Sequence, residues 1–272
     1  MALGYEGYGV VNGTICLATG SGLSRSRNRL DSSSGYGGSD YGWPHTYDYD
    51  NLDGSLNFEA HPAVLSTIYG LLGSKTSSSS LAAYPTYGTS FVISEGWWNS
   101  LNISASDGAA VQGSVSVVGN ISDYNPSGFS GEYISNRTGY DAGHRVIDEI
   151  PPLNPSASNL YPIPFWKTNV NGYDAMSWNV TWNQDVSKIF ACGETENPTE
   201  PYIIGIGPTT GTFAIEAAVV DASASFADSQ GFSVSIAGSS GFSITGELNS
   251  IGHDIQTGAG IVLVSAEYQI YS

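Results

Sequence analysis

Charge is scarce in this chain, and positive charge most of all. Charged residues make up 12% of the 272, about half the usual share. Eight Lys and Arg face twenty-five Asp and Glu, for a formal net charge of −17. A surface this acidic repels phosphates at close range and does not adhere to anionic membranes, which argues against nucleic-acid or membrane-surface binding as a primary role. Cysteine is nearly absent too. Cys16 and Cys192 lie far apart without metal-ligand spacing, so they read as free, buried thiols and not as a disulfide scaffold. No apolar run approaches the roughly 18 residues a membrane helix needs. The opening MALGYEGYGVVNG lacks the basic-then-apolar order of a signal peptide. The expectation is a chain kept in the cytoplasm, without membrane insertion.

Signatures of catalysis are missing as well. His45, His61, His144 and His253 stand singly, outside any ligand motif such as HExxH. The segment GLSRS is not a nucleophile elbow. YDYDNLDGS lacks the spacing and terminal Glu of a calcium loop, and GIGPTTG lacks the Lys and following helix of a phosphate-binding loop. The reading is of a protein that is not an enzyme and uses no cofactor or metal.

Gly, Ser, Thr, Asn and Tyr abound instead, as in β-proteins with many turns and polar strand faces. The central stretch is 90–119, a β-branched and aromatic run, a Ser-Asp-Gly turn, and a second run. In that second run Val111, Val115 and Val117 alternate with Gln112, Ser114 and Ser116. Its valine face suits a core, and its small polar face suits solvent, a partner or a water-filled passage.

Before it, 8–19 reads as a hairpin around Asn12-Gly13, and 54–59 as a strand. Val64, Leu65, Ile68, Leu71 and Leu72 give helical spacing over 63–72, with Pro62 suited to the first turn. Between hairpin and strand, 20–53 reads as a long polar loop. It carries Arg25, Arg27 and Arg29 with Tyr36, Tyr41, Trp43, Tyr47 and Tyr49. Such aromatics mark an interface more than disorder.

The prolines between 151 and 164 place a domain boundary near 150, giving units at 1–150 and 151–272. The second half reads as a strand pair at 175–190 and strands at 202–206, 212–220, 232–236, 241–248 and 261–270. The two strands at 202–206 and 212–220 would flank a Gly207-Pro208 turn. Strands at this spacing imply a barrel or sandwich. Two weak echoes link the halves, YDNLDGSLNFEAHPAV with GPTTGTFAIEAAVVDA and SEGWWNSLNIS with MSWNVTWNQ. The fold class is therefore mostly β, antiparallel barrel or sandwich domains with one short helix, with duplication an open question.

In order of elements, GYGVVNGTICLATG, the long polar segment, the strand before the 63–72 helix and the central strands resemble the tail tube proteins of tailed bacteriophages. The second half, from YPIPFWK through SWNVTWNQDV to IGPTTGTFAIEAAV, resembles such a domain with less support, because its helix is not obvious. The resemblance implies a virion protein of the tail, assembled in the host cytoplasm from copies of itself and other tail proteins. It implies rings stacked into a tube, with DNA only as passing cargo. Two tube domains per chain would close a trimer, and one would close a hexamer. It also implies that Arg25, Arg27, Arg29 and the aromatics of 36–49 reach a neighbouring subunit, and that Gln112, Ser114 and Ser116 face the passage. Two other classes fit the same residues. One is a carbohydrate-binding or adhesin β-domain using Trp97, Trp98 and the 36–49 aromatics. The other is a further virion component, a decoration or tail terminator protein.

Overall fold

The computed structural model describes residues 8–31, 46–74, 79–84, 91–119, 161–189, 203–219, 226–237, 241–256 and 261–271. The domain boundary read near residue 150, and Tyr36, Tyr41 and Trp43, lie outside the described residues.

Among the described residues strand-forming alternation dominates and yields twelve strands and one α-helix. In the first part these are β1 (Tyr8–Val11), β2 (Thr14–Asp31), β3 (Thr46–Glu59), α1 (Pro62–Gly73), β4 (Ser79–Tyr84), β5 (Phe91–Ser106) and β6 (Gln112–Gly119). The second part contains β7 (Thr168–Val170), β8 (Ala175–Ile189), β9 (Ile203–Val219), β10 (Ser229–Ile236), β11 (Phe242–Gln256) and β12 (Ile261–Tyr271). All pairings are antiparallel, in the order β4-β1-β2-β3-β6-β5-β8-β9-β12-β11-β10-β7. A further pairing of β4 with β5 closes β1–β6 into a six-stranded barrel.

β5 is the junction strand. One of its edges takes β6, while the other takes β4 over Phe91–Gly96 and β8 over Ser100–Ser106. The change of partner falls at an irregularity in the ladder between Trp98 and Ser100. A bulge locally disrupts pairing and bends the strand, which lets one edge serve two neighbours.

Both sets bury the same face of this continuous sheet. Leu101 stands opposite Trp182, Ile103 opposite Val180 and Ala105 opposite Trp178, all buried. Helix α1 covers that face where the two sets meet. Its Val64, Leu65, Ile68 and Leu71 are buried, and Trp98 donates its indole N–H to the Leu71 carbonyl at 3.1 Å. Tyr69 lies 6.0 Å from Phe242 between ring centroids, and Phe242 in turn meets Trp178 and Trp182. The helix starts on His61, which is fully buried. His61 Nδ1 accepts from Val64 N–H at 3.4 Å, and Nε2 donates to the Ile15 carbonyl at 2.8 Å in the tautomer that satisfies both.

The strand orders of the two sets coincide under a cyclic shift. Placing β1–β3 after β6 makes β4, β5, β6, β1, β2, β3 correspond to β7, β8, β9, β10, β11, β12. Register shifts recur at matching places, between Ala18 and Gly20 in β2 and between Leu248 and Ser250 in β11. Among the described residues the second set stays open, with one bridge, Val170 to Tyr173, returning β7 to the entrance of β8. Of the two echoes in the sequence, the one between β5 and β8 matches this correspondence. The other links β3 to β9, which hold different places.

Three expectations are corrected. The pair read at 175–190 is a single strand, β8, which pairs with β9 from Ala175 to Ile189. The segment 20–53 is not a loop throughout, because 20–31 continues β2 and 46–53 belongs to β3, paired in one ribbon. Its Gly, Ser and Asn residues hid a strand whose partner supplies the ladder that propensity does not. Likewise, Gly207-Pro208 does not separate two strands. β9 runs through it, because Pro208 sits in a bulge opposite Asp185, between the pairs Gln184–Thr209 and Val186–Ile206. No ladder hydrogen bond is asked of its missing N–H there.

Candidate polar sheet face

The face opposite the core is built by strict alternation. In β6 the residues Gly113, Val115, Val117 and Gly119 are buried, while Gln112, Ser114, Ser116 and Val118 are half-buried on the other side. Antiparallel register then carries the polar positions across the sheet. One row reads Asn57, Ser114, Asn102, Thr181, Thr212 and Gln269 from β3 to β12. The next reads Glu59, Gln112, Ser104, Asn179, Ala214 and Glu267, and a third Ser55, Ser116, Ser100, Asn183 and Thr210. Gln112, Ser114 and Ser116 thus stand together in one continuous polar surface. Its β8 and β9 members complete what β5 and β6 begin.

At the β5–β8 seam the face is tied by side chains. Asn102 Nδ2 donates to Asn179 Oδ1 at 2.6 Å and to Thr181 Oγ1 at 2.8 Å. Beside the seam lies an open groove of about 570 Å³, lined in part by Asn102, Ser104, Gln112, Asn179, Glu216 and Glu267. Ser177 Oγ donates to Glu216 Oε2 at 3.4 Å, and Asn249 Nδ2 to Glu267 Oε1 at 2.7 Å. No Lys or Arg stands in the three rows. The three rows offer hydroxyls, amides and carboxylates.

Two edges of the face meet no other described strand over part of their length. β2 pairs with β1 only at Thr14–Cys16, so this holds for its outer edge from Leu17 onward. β11 pairs with β10 only as far as Glu247, so it holds for Asn249–Gln256 on that side. Neither stretch carries the Lys or Pro that commonly blunts an edge.

The other candidate residues are placed as follows. Arg25, Arg27 and Arg29 lie on β2 opposite Leu52, Asp50 and Asp48, and Tyr47 and Tyr49 lie on β3 opposite Leu30 and Asn28. Trp98 is fully buried with its indole N–H engaged, so it offers no ring for stacking a sugar. Trp97 is half-buried. His61 is committed to capping α1, and His253 is exposed on β11. Burial pushes the Cys16 thiol up to about 12, partly offset by a hydrogen bond with the Gly9 backbone, which leaves it protonated and inert. Among the described residues no group of three His, Cys, Asp or Glu is placed to hold a metal ion, and no helix is long and apolar enough to cross a membrane. Sequence reasoning missed the part of Asn102, Asn179 and Thr181 in the seam. Their alternation was legible, but their juxtaposition depends on β5 choosing β8 as a partner. No protein-family model matches the chain, and no curated protein matches its sequence.

Proposed function

We propose that the chain is a structural subunit that closes edge to edge into rings, as in a phage tail tube, with its polar face toward a passage for DNA. The observation that carries this reading is the sheet from β2 to β11, whose polar rows run without Lys or Arg from β3 to β12 and whose outer edges at β2 and β11 meet no other described strand beyond their short pairings. Pairing the β11 edge of one copy with the β2 edge of the next removes both liabilities and continues the face around a ring. A wall of hydroxyls, amides and carboxylates suits the passage of a polyanion. It provides no counterion release on contact, so the polymer is neither held nor condensed.

Six chains, rather than three, fit this reading. β5 and β8 hold corresponding places in the two sets yet run antiparallel. The sets therefore face opposite ways along the strand direction and do not take equivalent places in a polar ring. The whole chain is the repeating unit.

The test is to replace Gln112, Ser114 and Ser116 with Lys in virions. Tails that assemble but deliver DNA at least tenfold less efficiently support the reading, whereas assembly with undiminished delivery overturns the passage-facing assignment.

A further inference from the structure

The groove beside the β5–β8 seam draws its lining from six strands that are neighbours in the sheet. They contribute Gln112 on β6, Asn102 on β5, Asn179 on β8, Glu216 on β9, Glu267 on β12 and Ser250 on β11. At roughly 4.8 Å per strand, the outermost of these stand about 24 Å apart along the sheet. The volume of about 570 Å³ falls within the roughly 300–1,000 Å³ of small-molecule sites. Spread over that length, it forms a narrow trough that suits a chain-like ligand lying across the strands.

Among the described residues no Lys or Arg lines the trough, so an anionic ligand meets two carboxylates and no counter-charge. Trp178 and Ile215 pass beneath it, but both side chains are buried in the core, and an apolar ligand finds no platform. What remains is amide, hydroxyl and carboxylate. An ionised carboxylate only accepts hydrogen bonds, whereas an amide both donates and accepts. Ser177 Oγ donates to Oε2 of Glu216, and Asn249 Nδ2 to Oε1 of Glu267. Each tether holds one carboxylate oxygen, which positions the other as an acceptor before any ligand arrives and lowers the ordering cost of binding. Asn102 likewise spends its N–H groups on Asn179 and Thr181 and keeps its carbonyl. The carboxylates stand only on β9 and β12, while the β5, β6 and β8 part of the trough carries amides and hydroxyls. The methylenes of a linear polyamine would leave that part unused. A ligand rich in hydroxyls uses both parts.

We propose that this trough binds an uncharged linear oligosaccharide, whose hydroxyls donate to Glu216 and Glu267 and exchange hydrogen bonds with Asn102, Gln112 and Asn179. The ligand class is the one read from the sequence at Trp97 and Trp98, but the site is a different one, on the polar face. The inference goes beyond the ring reading and does not rest on it, because the trough is complete within a single chain.

The experiment titrates the purified full chain by calorimetry with maltohexaose, cellohexaose and the hexamer of N-acetylglucosamine, and with spermidine and an oligogalacturonate as charged probes. At least one neutral hexamer is expected to bind saturably, with Kd in the millimolar range or below. Glu216→Ala with Glu267→Ala is expected to weaken that binding at least tenfold. Ser265→Leu, at an exposed position on the wall of the trough, fills space without removing either tether and is expected to weaken it as much. Melting curves identify which variants are folded. Three results overturn the proposal: no saturable binding of any neutral hexamer, binding unchanged in a folded variant, or binding of spermidine or the oligogalacturonate alone. Rings in electron micrographs are scored separately. A chain that forms rings but binds no hexamer overturns the trough and leaves the ring reading intact, whereas a chain that binds a hexamer and forms no rings does the reverse.

Discussion

At Trp98 and His61 single side chains tie α1 to the sheet. Trp98→Phe removes the indole N–H from the Leu71 carbonyl, which keeps its bond from Ser74 N–H, and leaves a void where the second ring was, so it is expected to cost roughly 1–3 kcal/mol in a denaturant titration. His61→Ala removes both the helix cap and the bond to Ile15, and is expected to cost about 1–2 kcal/mol. That His61 would cap a helix was not legible in the sequence, because the usual caps are Ser, Thr, Asp and Asn. The imidazole serves here because Ile15, on a strand far away in sequence, takes its second nitrogen. Cys16 and Tyr268 set the alkaline limit. Their folded values are raised to about 12 from 9.0 and 10.0, in both cases chiefly by burial, with Tyr173 and Asp228 adding to the shift at Tyr268. A raised value means that the folded state holds its proton while the unfolded chain releases it. The associated stability is therefore complete below about pH 9 and is lost as pH climbs toward 12. Melting temperature is expected to hold from pH 7 to 8.5 and to fall steadily above it.

Among the elements, β5 and β9 show what the sequence could and could not reveal. The alternation in 90–119 was legible residue by residue, and so were the α1 stripe and the Asn12-Gly13 turn, where Asn12 and Gly13 have φ of 44° and 76°. All three are local signals. The β2–β3 ribbon and the passage of β9 through Pro208 were not legible, because each depends on a partner strand and on a bulge that absorbs the misfit. Gly211 tests how closely β8 and β9 approach. A Cβ there would lie 2.4 Å from the Thr181 carbonyl oxygen, a backbone atom that cannot swing aside. Gly211→Ala is therefore expected to destabilise by roughly 1–3 kcal/mol, measured by thermal or urea unfolding, whereas Gly70→Ala on α1, with open space around it, is expected to stabilise by up to about 1 kcal/mol.

For the whole molecule, the account turns on a face and its two edges. The composition of the face was visible early, in the acidic balance and in Gln112, Ser114 and Ser116. Its extent was not, because five strands besides β6 contribute to its rows and the β5–β8 seam joins two regions far apart in the chain. The edges were invisible, since the sequence of β2 resembled a polar loop. The most direct test of the central claim is cryo-electron microscopy of the purified full chain over a range of concentrations. The account predicts rings of six copies around an open passage, with β2 of one copy beside β11 of the next and Gln112, Ser114 and Ser116 facing inward. A chain that remains a single 28.5 kDa particle at every concentration, or rings with this face turned outward, would contradict it.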